Sequence, residues 1–281
     1  MNEVPMGSRD DVLAGGGTGG TTSSPMAFPI PAEELGTVSI VPNGSFEAGS
    51  YQTFVLTYEA GKFGIDDSGS MRVCFRFASD QTRPQFEDPK GPNYTTIEAS
   101  NNAVLTYHYD PKGNVRPWDR TLYIKVVRGF LREGDKITIT FGDRSGGSPG
   151  MRLQTFCEDS YEFHTLIDPI ATYCYQPMPL QPVIKIIPGK PDRYLVVAPT
   201  IRAIDESFSV KFKGEDKWGN PSDQCDVQLY PRASYPVKNL PNMISLKPGV
   251  FFGVIDGLSV ADAADLHIDF LDDAGAVMCR T

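Results

Sequence analysis

The chain has 281 residues, of which 40% are hydrophobic, 22% charged and 11% aromatic, with 27 glycines and 23 prolines. This is enough length and apolar content for one large or two ordinary globular domains. A formal net charge of −9 argues against nucleic acid as a partner, since a binder would carry a basic face, and no run approaches the ~18 consecutive apolar residues of a membrane-spanning helix.

Residues 1–29 begin without the basic segment and apolar core of a secretory signal. They continue into Ala14-Gly-Gly-Gly-Thr-Gly-Gly-Thr-Thr-Ser-Ser24, a composition that buries too little surface to order itself, so a disordered tail is expected. A native start places the protein in the cytoplasm; a trimmed or replaced N-terminus leaves the periplasm open. The five cysteines, Cys74, Cys157, Cys174, Cys225 and Cys279, are odd in number and include no Cys-Xaa-Xaa-Cys. A reducing compartment fits them better than a disulfide framework or a zinc ribbon.

From residue 30 the pattern is that of strands. Segment 37–41 is the first. In 52–60, Phe54, Leu56 and Tyr58 alternate with Thr53, Val55 and Thr57. Over 70–78, Val73, Phe75 and Phe77 are expected on one face, with Arg72 and Arg76 on the other and Cys74 as a half-buried thiol. Period-two patterning marks strands with one face on a core. Three prolines between Asp80 and Tyr94 forbid a central strand there. Strands resume at 103–109 and 122–128, and the turn at 129–135 is expected to close a hairpin into 136–141. Two more strands are expected at 152–156 and 161–168.

Gln176-Pro-Met-Pro-Leu-Gln-Pro182 holds three prolines in seven residues and predicts an extended linker. The expected division is therefore a first β-sandwich over 30–175, a linker at 176–182 and a second sandwich over 183–281. In the second domain, strands are expected at 183–187, 194–198, 208–214, 225–230, 243–246, 250–255, 266–271 and 276–280, a spacing that suits a β-sandwich. Only 260–265 offers a helical turn. The predicted fold class is all-β, in two sandwich domains.

The longest glycine-rich break after the tail is Phe141-Gly-Asp-Arg-Ser-Gly-Gly-Ser-Pro-Gly-Met151. Its glycines, proline and serines mean that the backbone is being shaped there. Gly142-Asp143-Arg144-Ser145-Gly146-Gly147 resembles the Gly-Asp-Ser-Gly-Gly loop of trypsin-like serine proteases, with Arg144 interposed. The base such a serine needs would have to be His108, in a Tyr107-His108-Tyr109 strand without that family's surrounding motif, so no catalytic residue is assigned. No Gly-Lys-Ser/Thr or helix follows the loop, which rules out a phosphate cradle of that kind. Asp143 and Arg144 are expected to form a local ion pair. The ligand or interface candidates are Asp143, Arg144, Ser145, Arg152, Tyr94 and Trp118.

No metal or cofactor site is assigned. His108, His164 and His267 are far apart, and the pairs Asp66-Asp67, Glu158-Asp159 and Asp272-Asp273 suit solvated turns better than a calcium loop. Tyr94, Tyr107, Tyr109, Trp118, Tyr173 and Tyr175 are candidates for either core packing or a sugar-binding platform. Asp216-Lys-Trp-Gly-Asn-Pro221 reads as a tight turn whose Trp218 caps one end of the second sandwich.

Two resemblances follow from these segments. Asp216-Lys-Trp-Gly-Asn-Pro221 after an alternating strand resembles the turn of bacterial immunoglobulin-like repeats, with Asp262-Ala-Ala-Asp265 placed like the turn before their tyrosine-corner strand, although Leu266 stands where tyrosine is common. The first domain resembles the N-terminal region of large bacterial proteins grouped as a domain of unknown function. The residues carrying that likeness are Gly64-Ile-Asp66, Pro84-Gln85, Asp88-Pro89, Asn93-Tyr94, Arg116-Pro117, Gly134-Asp135, Gly142-Asp143 and Gly147-Ser-Pro-Gly-Met-Arg152. In that family such regions precede a metal-dependent hydrolase domain similar to the PHP phosphoesterases, opened by Gly-Asp-Xaa-His. No residue here matches a metal ligand of that domain. The resemblance therefore implies a non-catalytic β-sandwich region that supports a metal-dependent hydrolase domain or subunit. Alternatives are a module binding a carbohydrate or other small polar ligand at the 142–150 loop, and a hydrolase using Asp143, Ser145 or His164 in an unfamiliar site.

Overall fold

The computed structural model describes residues 30–281; the tail expected over 1–29 lies outside the described residues. A three-residue 3-10 turn, Ala32–Glu34, is the single helical element among them, and no helix is long and apolar enough to cross a membrane. The first half runs β1 Gly36–Val41, β2 Ser45–Glu47, β3 Tyr51–Gln52, β4 Phe54–Ala60, β5 Ser70–Phe75, β6 Thr95–Ala99, β7 Val104–Asp110, β8 Arg120–Arg128, β9 Lys136–Phe141, β10 Met151–Arg152, β11 Glu158–Glu162, β12 His164–Asp168, β13 Gln176–Pro177 and β14 Val183–Ile187. The second runs β15 Arg193–Val197, β16 Phe208–Glu215, β17 Val227–Ala233, β18 Ile244–Leu246, β19 Gly253–Leu258, β20 Ile268–Leu271 and β21 Val277–Arg280.

The fold is all-β and built as sandwiches. In the first lobe a four-stranded antiparallel sheet (β1-β4-β9-β6) packs on a five-stranded one (β13-β12-β5-β8-β7). The alternation seen in the sequence decides which side chains meet between them. Phe54, Leu56 and Tyr58 of β4 and Ile137, Ile139 and Phe141 of β9 face Met71, Val73 and Phe75 of β5 and Leu122, Ile124 and Val126 of β8 in one buried cluster. Phe163, in the one-residue break between β11 and β12, is fully buried at its centre, with ring centroids 5.6 Å from Phe54, 5.6 Å from Phe75 and 5.7 Å from Phe141. A separate core in the second lobe joins Phe208, Val210 and Phe212 to Leu229, Ile255, Ile268 and Phe270, between a three-stranded sheet (β15-β16-β19) and a four-stranded one (β18-β17-β20-β21).

Several expectations need correction. The segment 129–135 does not close a hairpin: β8 lies in the five-stranded sheet and β9 in the four-stranded one. Burial of Leu131, bridged to Ile65, carries the chain across the sandwich edge instead. Phe77 lies beyond the end of β5 and is exposed under the Arg116 guanidinium at 4.9 Å, so it does not continue the core face. Cys74 is fully buried, not half-buried. Residues 260–265 form no helical turn.

The expected linker is built into the first lobe. Gln176–Pro177 pairs with β12, and Met178 is buried in the first core. Val183–Ile187 runs antiparallel to β11 and parallel to β2, burying Ile184 and Ile186 there as well. Proline-rich backbone tolerates these positions because β13 is an edge strand. The passage between lobes is residues 188–192.

Candidate functional site

The glycine-rich loop follows β9. Gly142 and Gly150 adopt φ of +63° and +106°, a region that side chains with a Cβ resist. A Cβ at Gly142 would also lie 2.2 Å from the Met151 nitrogen. The loop's polar groups are turned on the protein itself. Asp143 accepts the Thr96 hydroxyl at 2.9 Å and the Ser145 N–H at 2.9 Å. The Ser145 N–H, followed against some desolvation by the Ser145 and Thr96 side chains, holds the Asp143 carboxyl below its ordinary range. Arg144 donates through Nη2 to the Tyr51 carbonyl at 2.9 Å, so the expected Asp143–Arg144 ion pair gives way to two separate anchors. Ser148 donates to the Gly91 carbonyl at 2.7 Å, and the Asp143 N–H donates to the Tyr94 carbonyl at 2.7 Å.

Five of the six candidate residues therefore meet at one end of the first sandwich. Arg152 pairs in register with Tyr51, donates to the Asp80 carbonyl at 2.6 Å and places its guanidinium 5.9 Å from the Trp218 ring. Trp118 lies elsewhere, stacked on His164 at 4.8 Å and 16°. His108, the base a serine mechanism would require, belongs to β7 of the five-stranded sheet, where it packs on its cross-strand partner Tyr123 at 5.1 Å, while the loop follows β9 of the four-stranded one. The tyrosines do not form one platform either: Tyr107 packs on Phe86 and Tyr175 on Arg72.

The Asp216–Pro221 turn has a use the sequence did not signal. Asp216 accepts the N–H groups of Trp218 and Asn220, each at 2.9 Å, the Asn220 side-chain amide at 2.9 Å and the Gly189 N–H at 3.1 Å. Burial opposes its ionisation, but these donors outweigh burial and hold its pKa below the ordinary value. Trp218, shaped by this turn, donates from Nε1 to the Ala48 carbonyl at 3.0 Å. Asn220 donates to the Thr155 carbonyl at 2.9 Å and accepts the Cys157 N–H at 3.3 Å. Trp218 thus docks on the 47–50 turn of the first lobe, where a Cβ on Gly49 would come within 2.6 Å of the indole. A cleft of roughly 290 Å³ remains between the lobes, lined among others by Glu47, Lys190, Lys217 and Trp218.

The outer face of the five-stranded sheet gathers the remaining polar and aromatic side chains. Three cross-strand rows lie on it: Asp168, Ser70, Lys125 and Thr106; Leu166, Arg72, Tyr123 and His108; His164, Cys74, Thr121 and Asp110. Arg72 stacks on the Tyr175 ring at 3.7 Å, and Tyr175 shares a 2.6 Å hydrogen bond with Ser70. Beside it, His164 Nδ1 lies 2.6 Å from Glu162, and Arg76 pairs with Glu158 at 2.8 Å while sitting 5.4 Å from the Trp118 ring. Burial first of all pushes the Cys74 thiol up to about 11, against bonds to Thr121 and Asn114 and the nearby Arg72 charge, so it stays protonated and unreactive. The alternation Arg72, Cys74, Arg76 marked this face in the sequence; the return of Tyr175 onto it did not show there.

Among the described residues no group of three or more His, Cys, Asp or Glu side chains is arranged to hold a metal ion. No protein-family model matches the chain, and a search of curated proteins found no match.

Proposed function

We infer that this chain is a two-sandwich platform that docks a metal-dependent hydrolase domain or subunit. The observation that carries the reading is the outer face of the three-stranded sheet, which none of the described residues covers. Register puts Val197, Lys211 and Val254 side by side across it, with Val197 64% and Val254 42% exposed. Leu195 and Phe252 extend the apolar surface. An apolar stripe divided by a lysine is the composition of an interface that is hydrophobic at its centre and selects its partner by charge. The Trp218 and Asn220 contacts support the platform role, because they hold the second lobe against the first. The nature of the partner comes from the resemblance of the first lobe to regions that precede such hydrolases.

Mixing the purified chain with a candidate metal-dependent hydrolase subunit tests this by size-exclusion chromatography. The expected result is a co-eluting complex that Val197→Glu with Val254→Glu abolishes while the circular dichroism spectrum stays the same. Separate elution, or a complex indifferent to both substitutions, overturns the reading. The alternative of a small-ligand site at 142–150 loses support, since that loop spends its polar groups on its own backbone and neighbours.

A further inference from the structure

We propose that Arg72 on the outer face of the five-stranded sheet is the floor of a binding site for a tetrahedral oxyanion, a phosphate group in particular. The argument starts from the guanidinium's hydrogen-bonding capacity. Arginine carries five N–H donors in one plane, and stacking on an aromatic ring uses the face of that plane without satisfying its edge. Arg72 lies face-on to Tyr175 at 3.7 Å, with the Tyr123 ring 5.8 Å away. Among the described residues its edge makes a single bond, from Nη1 to Asn114 Oδ1 at 3.4 Å; Nε is buried without a partner, and Nη2 is left as a donor with none. A half-buried cation whose donors are mostly unused is costly unless something occupies them.

No carboxylate of the described residues pairs with it. Asp168, in the neighbouring row, has both oxygens taken: Oδ1 by the Thr172 N–H and hydroxyl at 3.0 Å each, and Oδ2 by the Tyr173 N–H at 2.7 Å. These bonds shape the 169–175 loop that brings Tyr175 over the sheet. Asp110 accepts the Lys112 N–H at 2.8 Å. The side chains framing Arg72 include no acid: the Tyr123 hydroxyl and Lys125 on the adjacent strand, the Ser70 and Tyr175 hydroxyls bonded to each other, the Asn114 amide, and His108 one strand further on. The Tyr175 stack fixes the guanidinium before any ligand arrives, so little side-chain freedom remains to be lost on binding. The Arg72 guanidinium with the Lys125 ammonium on the adjacent strand, and no acid of the described residues paired with Arg72, suit a multiply charged oxyanion better than a neutral sugar. This site does not depend on the docking face, which lies on the other lobe.

Isothermal titration of the full chain with inorganic phosphate and with phenyl phosphate, at fixed ionic strength set by sodium chloride, tests the proposal. Saturable binding is expected for at least one. Arg72→Lys keeps the charge but loses the fork and should weaken it at least about tenfold, and Arg72→Gln should abolish it. Lys125→Gln, at a half-buried position on the adjacent strand, gives a second variant that should bind several-fold more weakly if Arg72→Gln fails to fold. Tighter binding of the ester identifies a phosphorylated ligand, and equal binding identifies the free anion; both support the site. Absence of saturation with either probe, displacement by chloride alone, or unchanged affinity in the folded variants overturns it.

Discussion

Phe163 shows how much one residue carries. Its ring touches three other phenylalanines drawn from both sheets and Tyr161 at 5.5 Å, so it is where the sandwich is pinned together. Phe163→Ala should lower the stability of the first lobe by about 3–5 kcal/mol, read from urea unfolding, because the cavity is bordered by two sheets that cannot both collapse into it. Asp216 works through charge. Its pKa is lowered in the folded state, so its contribution is present above the unfolded carboxylate value and lost as pH falls through the folded one. The stability gap between the native chain and Asp216→Asn should therefore be constant near neutrality and close below about pH 4. A gap that persists unchanged at pH 3 would assign the effect to shape alone.

At the scale of elements, the Asp216–Pro221 turn is the joint of the molecule. Trp218→Ala removes the indole hydrogen bond to Ala48 and the packing over Gly49. It should split the heat-unfolding transition into two, visible by differential scanning calorimetry, as each lobe keeps its own core. The long strands were legible because alternation is a local property: Phe54, Leu56 and Tyr58 bury, while the residues between them stay half-exposed. The short strands Ser45–Glu47, Tyr51–Gln52 and Met151–Arg152 were not, since two or three residues make no period. The candidate loop was legible as shaped backbone, but not the partners of Asp143 and Arg144, which come from Thr96 and Tyr51. Arg72 could be placed on the outer face of its strand from sequence, while Tyr175 was open between core packing and a ligand platform; their stacking depends on a loop about a hundred positions away being tied down by Asp168.

For the whole molecule, the path of the chain matters more than any strand. Strands far apart in sequence are neighbours: β9 lies between β4 and β6, and β14, near residue 185, runs beside β2, near residue 46. The alternation in Val183–Ile187 is equally compatible with either lobe, so the proline cluster before it was read as a border. The structure assigns it to the first lobe, where it supplies Ile184 and Ile186 to the core and gives β2 its partner. A fragment ending at residue 175 would leave β2 and β11 unpaired and open the core where Met178, Ile184 and Ile186 sit, exposing edges that invite aggregation. A fragment ending at residue 192 keeps all of them. The 30–192 fragment should be monomeric and unfold cooperatively in urea, whereas the 30–175 fragment should aggregate or lack a cooperative transition. Equal behaviour of the two by size-exclusion chromatography and circular dichroism would return β14 to the second lobe and the border to the prolines.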